Sequence, residues 1–102
     1  MRVVVVGAGI GGLAVAVALQ KIGVETLVIE RAASIREVGA GLSIWSNAVN
    51  ALRELGLRDK VMASASVIDR NLVQTTKGHL IARTELGEVS RTAGAPCICI
   101  HR

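Results

Sequence analysis

Gly7, Gly9 and Gly12 lie close together near the start of the chain, and Glu30 follows about twenty residues on. Glycines at this spacing bring a backbone up to a pyrophosphate, and an acid at this distance can hold the two hydroxyls of a ribose. Gly7 lets the chain leave a strand in a tight turn. Gly9 has no Cβ, so a phosphate can approach its backbone closely. Gly12 lets a helix pack tightly on a sheet. Ala8, Ile10 and Gly11 complete the loop. Arg31 follows the acid. It can meet a 2′-phosphate, as in NADP-binding domains, or stand in solvent.

This chemistry needs a strand, a helix and a second strand around it. Val3–Val6 is an apolar run that supplies the first strand. The helix is expected to start near Ile10 and to aim free N–H groups at the phosphates. Its macrodipole adds roughly half a positive charge at that end. Leu13, Ala16, Val17 and Gln20 recur at helical spacing, with Lys21 in the last turn and Gly23 just past it. Thr26–Ile29 reads as a buried parallel strand with Glu30 at its C-terminal edge. A rival reading takes Arg2 and the uncharged run to Leu19 as a secretory signal. Such a segment needs neither the three glycines nor a second strand ending in an acid. As a membrane span the run falls short of the roughly 20 residues required.

Farther along, Arg31–Gly41 reads as a connection, with capping-box spacing over Ser34–Glu37 that predicts one short helical turn. Gly39-Ala40-Gly41 is a close-approach segment before a short strand, Leu42–Ile44. Ser46 reads as the N-cap of a helix over Asn47–Leu55, with Ala48, Leu52 and Leu55 on one face and Gly56 ending it. Leu57–Ala63 adds a further helical turn or two. Val67–Thr75 and His79–Arg83 read as a β-hairpin around Thr76-Lys77-Gly78. Thr84–Ala95 is polar and loop-like, and Cys97–Ile100 is a final strand.

The bulk composition narrows the classes. A chain of 102 residues is one domain at most. Hydrophobic residues make up 51%, yet Trp45 is the only aromatic, so the core must be aliphatic. That suits a parallel sheet covered by helices. Trp45 itself is expected as a core or interface anchor. The net charge of +4 is spread along the chain, with no basic run interleaved with aromatics, which argues against a nucleic-acid partner. Cys97 and Cys99 would share one face of a strand, a poor arrangement for a disulfide, and C-x-C is not a zinc pattern. Both are expected to be buried as small apolar residues, in keeping with a reducing cytoplasm.

Taken in order, these segments resemble the FAD-dependent aromatic hydroxylase family, the group A flavoprotein monooxygenases. The resemblance rests on Val3–Leu13, on Glu30-Arg31, and on the Gly39–Ile44 run with Ser46-Asn47-Ala48 and Leu52-x-x-Leu55-Gly56-Leu57. It ends on Ile100-His101-Arg102. Salicylate, 6-hydroxynicotinate and urate hydroxylases are the members most alike in pattern. The resemblance implies an α/β fold, the N-terminal part of a Rossmann-like FAD-binding domain of the glutathione-reductase type, with a β-hairpin insertion.

The family resemblance also implies a cofactor and a reaction. FAD would be reduced by NAD(P)H and, with O₂, would deliver one oxygen atom to a small, aromatic substrate or an alkene. By the same resemblance, Gly7, Ala8, Gly9, Ile10, Gly11 and Gly12 cradle the pyrophosphate and Glu30 holds the adenosine ribose. Arg31 lies beside the adenine, Ser43 lies near the flavin side, and Arg102 matches an arginine that reaches FAD. No residue is assigned a catalytic or metal-binding role. The family's substrate sheet and its second FAD motif come later in sequence, so residues 1–102 are expected to be an N-terminal portion that does not hydroxylate alone. The expected partner is a small-molecule substrate of the full-length protein, with no integral membrane span. Two alternatives stay open. One is an NAD(P)-binding Rossmann domain of a dehydrogenase, against which the Gly39–Gly56 segment argues. The other is a non-catalytic, truncated nucleotide-binding fragment.

Overall fold

A computed structural model of the chain describes residues 1–36 and 39–101. The backbone contacts divide it into two compact units, Met1–Glu37 and Val38–Arg102.

The first unit is β1 (Arg2–Val6), α1 (Ile10–Lys21) and β2 (Glu25–Ile29). The two strands are parallel and in register from Arg2 opposite Glu25 to Val6 opposite Ile29. β-branched valines favour the first strand, and a parallel pair requires a crossover, which α1 provides. The helix stops where Lys21 and Gly23 predicted it would. Gly23 adopts φ +78°, and the N–H groups of Gly23 and Val24 donate to the carbonyls of Gln20 and Leu19.

Three expectations for this unit need correction. Thr26–Ile29 is not buried throughout. Thr26 and Val28 are partly covered while Leu27 and Ile29 are exposed, and Val3 and Val5 alternate with Val4 and Val6 in the same way. One helix covers one face of the pair, and side chains alternate between faces. Along α1, Ala16 and Val17 are covered as expected but Leu13 and Gln20 are exposed, and Gly12, Ala14 and Leu19 complete the covered side. Gly12 sits where a Cβ would collide with the Gly7 carbonyl of the turn and press on Val5 of β1. The capping box over Ser34–Glu37 ends on a residue outside the described ones. Arg31–Arg36 contains no helical turn, and Arg36 Nε donates to Ser34 Oγ at 3.1 Å instead.

The second unit runs β3 (Gly41–Ile44), α2 (Ser46–Glu54), α3 (Arg58–Met62), β4 (Ala65–Val67), β5 (Arg70–Gln74), β6 (Leu80–Glu85), α4 (Leu86–Ala93) and β7 (Ile98–His101). β7 lies between β3 and β4, antiparallel to both. Its Ile98 is fully buried in a core with Val49 of α2 and Ala95. Ile44, Val61, Met62, Ala65 and Ile100 pack around that centre. β5 and β6 form the expected hairpin, with an irregularity at Val73/Gln74 and Gly78 at φ +84° in the turn. Val67 belongs to β4 and not to the hairpin.

Sequence and structure differ at five further places. Thr84–Ala95 is not a loop: Thr84 and Glu85 continue β6, and α4 follows with its own first residue, Leu86, buried. Its polar composition is the outer face of an amphipathic helix that Gly94 ends at φ +71°. Ser46 is the first residue of α2 and not its N-cap. Trp45 holds the cap position, and Ser46 Oγ is buried 3.4 Å from Cys97 Sγ. The buried stripe of α2 is Ser46 and Val49, with Leu52 partly covered and Ala48 outside. Cys97 is buried but Cys99 is exposed, because Cys97 precedes the strand and does not share its alternation. Trp45 is half exposed and forms no part of the core.

Candidate cofactor-binding site

The glycine loop continues the parallel ladder past its last strand pair. Gly7, at φ +102°, donates its N–H to the carbonyl of Ile29 at 2.6 Å. The next amide, Ala8 N–H, donates to Glu30 Oε2 at 2.8 Å. Glu30 Oε1 accepts from Ala32 N–H at 2.9 Å. Gly9 then caps α1 in extended conformation, with no side chain to satisfy the helix end. Leu13 N–H donates to the Gly9 carbonyl at 2.9 Å. The amides of Ile10, Gly11 and Gly12 are therefore those the helical ladder leaves over.

The three glycines of the motif do different work. A Cβ on Gly12 would sit 2.0 Å from the Gly7 carbonyl oxygen, an impossible distance. A Cβ on Gly9 or Gly11 would meet nothing within 4 Å. Gly12 is thus required by packing, whereas Gly9 keeps open the approach to the leftover amides. Open space, free N–H groups and the positive end of a helix dipole together suit an anion. The residues present therefore fit the pyrophosphate of a dinucleotide.

Glu30 is the charged group of the site. The Ala32 N–H, followed by the Ala8 N–H, holds its carboxyl below the usual glutamate value, against an opposing desolvation. Arg31, exposed beside it, adds a hydrogen bond from its backbone N–H and, less, the attraction of its charge. The group is ionised at neutral pH. Each carboxylate oxygen has two lone-pair directions, so both retain capacity for a ligand hydroxyl.

Gly7–Gly12, Glu30 and Arg31 are brought together within the first unit. Ser43 belongs to the second unit, on β3 opposite Cys99, on the sheet's exposed side. A cavity of about 200 Å³ opens beside it, walled by Trp45, Ile68, Asn71 and Leu86. Arg102 lies outside the described residues. The sequence offered no sign of Ala32, the second anchor of Glu30, because a backbone N–H carries no residue-type signature.

Residues 1–100 match the family described as FAD binding domain. The chain belongs to that family. This FAD binding domain is 42% identical over 106 residues to the 3-amino-4-hydroxybenzoate 2-monooxygenase of Streptomyces cremeus, spanning 100% of this chain and 26% of that protein. It is 38% identical over 102 residues to the aurachin C monooxygenase/isomerase of Stigmatella aurantiaca, spanning 100% of this chain and 27% of that protein. Among solved structures, Klebsiella pneumoniae HpxO complexed with FAD and uric acid matches with a TM-score of 0.75 and 31% identity, over 100% of this chain and 26% of that one. The chain spans about a quarter of the length of these relatives. FAD, and not a nicotinamide dinucleotide, is the cofactor of this family. No described helix is long and apolar enough to cross a membrane.

Proposed function

We propose that this FAD binding domain grips the ADP half of FAD in an NAD(P)H-dependent monooxygenase that adds one oxygen atom to a small aromatic substrate. The observation that carries the reading is the head of α1. Three leftover amides lie at a loop where a Cβ on Gly9 or Gly11 would meet no protein atom within 4 Å, which leaves room for an anion. In this reading Gly9, Ile10, Gly11 and Gly12 meet the pyrophosphate. Gly7 and Ala8 hold the loop, Glu30 accepts from the adenosine ribose, and Arg31 lies beside the adenine. Ser43 is assigned to the flavin side, and Arg102 to a contact with FAD.

When bound, FAD supplies the redox chemistry between NAD(P)H, O₂ and substrate. The residues of this chain bind and orient, and none is proposed as a base or nucleophile. Residues 1–102 form, in this view, the first portion of an FAD-binding domain whose substrate-binding part is contributed by a longer protein. The aminohydroxybenzoate of one relative's name and the uric acid bound to another favour a planar, electron-rich ring as substrate. Two free thiols suit a reducing, cytoplasmic setting.

The test is a titration of the protein with FAD and, separately, with NADPH, read by flavin fluorescence and calorimetry. FAD is expected to bind, and Gly9→Val to abolish that binding. Tight NADPH binding without FAD binding would assign the loop to a dehydrogenase.

A further inference from the structure

We infer that Glu30 has a second task besides meeting a ribose: it is the positioning residue that sets the glycine loop before any ligand arrives. The inference rests on the dinucleotide reading of the loop for its purpose, but not for its geometry. β1 and β2 end their ladder at Val6 opposite Ile29. Gly7 N–H adds one more backbone bond, to Ile29. Beyond that point β2 has no further carbonyl in the ladder to offer. The side chain of Glu30 takes over, and its Oε2 accepts the Ala8 N–H. A carboxylate here acts as an extra rung between the two strand ends.

The other oxygen fixes the carboxylate itself. Ala32 N–H donates to Oε1, so the side chain is held from the downstream side as well. A group gripped at both oxygens cannot swing freely, and the loop bonded to it inherits that order. The consequence for recognition is specific. Ala8 N–H is used internally, so the phosphate-facing donors are those of Ile10, Gly11 and Gly12. A loop ordered in advance costs less to order on binding.

The pattern of bonds identifies the side chain required. The partners of Glu30 are backbone N–H donors, Ala8 on one oxygen and Ala32 on the other, with the Arg31 N–H adding a lesser bond, and only a carboxylate accepts at both oxygens. Glutamine has one acceptor oxygen, and its NH₂ would face the second N–H donor to donor. Aspartate is one methylene shorter and cannot span to both amides. Arg31 is the charged neighbour that acts on Glu30, and it is exposed.

The experiment is an NMR pH titration of the ligand-free protein, following the amide resonances of Ala8 and Ala32. Both are expected to shift together, with one midpoint below the usual glutamate value, as Glu30 takes up its proton. In Glu30→Gln that shared titration disappears. Exchange of the Ala8 amide becomes about tenfold faster in that variant, the factor lost with roughly one charge-assisted hydrogen bond. An Ala8 amide that does not titrate with Ala32 in the unsubstituted protein overturns the inference, and this arm needs no variant to fold. Glu30→Asp is expected to keep at most one of the two titrating amides; retention of both would also overturn it. Because no ligand is present, failure to bind FAD would sink the proposed function while leaving this result intact.

Discussion

In the first unit, Met1–Glu37, Ala16 is the one buried side chain among the described residues. Its notable contacts are made by backbone amides and by one carboxylate. In the second unit, Val38–Arg102, Val49, Leu86, Ala95, Cys97 and Ile98 are buried, and helices and strands meet through them. Recognition of an anion needs free N–H groups and room for the ligand, and both require that side chains be absent. Cohesion needs apolar side chains in contact. One chain has assigned these opposed requirements to different segments. A substitution should therefore lower stability in the second unit and binding in the first, with Gly12 the exception where both meet.

The largest stability loss is expected at the centre of the second unit. Ile98→Ala removes a fully buried side chain. It should cost about 2–5 kcal/mol, read as a lowered midpoint in urea. A loss within the range of surface substitutions would break the comparison.

Gly12→Ala comes next. Its Cβ would meet the Gly7 carbonyl at 2.0 Å, and that neighbour is backbone that cannot simply rotate away. An expected cost of about 1–3 kcal/mol follows, with FAD binding weakened alongside. Calorimetric melting and FAD titration on one sample check both parts.

Gly9→Val separates the two properties. The Cβ of the new side chain meets no protein atom within 4 Å, so the poorer helix cap is the expected cost, at about 1 kcal/mol or less. FAD binding should nevertheless vanish. A variant that still binds FAD as before would remove Gly9 from the site and erase the division between the units.

The smallest effect concerns Glu85 at the end of β6. Arg83 donates to its carboxylate and Arg70 Nε lies 3.2 Å from Oε1, so its carboxyl is held below the usual glutamate value. A lowered value means a contribution to stability that is present above the usual glutamate value. It is lost as pH falls through the lowered one. The groups are exposed, so the contribution is small. Arg83→Ala should move the Glu85 carboxyl titration upward toward the ordinary value with little change in melting, as carboxyl-carbon NMR would record.

Much of this was legible in the residues themselves. Strand, glycine turn, helix, strand and acid follow from local rules: valine runs, a helix end at Lys21 and Gly23, and the spacing from Gly7 to Glu30. The hairpin around Gly78 was equally readable, since a turn glycine between β-forming runs is a local signal. What escaped was decided by distant partners. Leu86–Ala93 looked like a loop because its polar face dominates, and Leu86 is buried only once the chain has folded around it. Ser46 looked like a cap, but its hydroxyl went to Cys97, far along the chain.

The sequence by itself determined which residues could tolerate a ligand's approach, because lacking a Cβ is a property of the residue. It also determined where the acid would stand, at the end of the second strand. Its position in the motif already marked Gly9 for close approach and Gly12 for close packing. Only the tertiary structure decided what Gly12 packs against, the carbonyl of Gly7 in the turn, because that contact depends on the placement of α1. It also decided that the Glu30 carboxylate takes up the N–H groups of Ala8 and Ala32. Those donors belong to the backbone, which every residue but proline shares, so nothing in the letters could mark them.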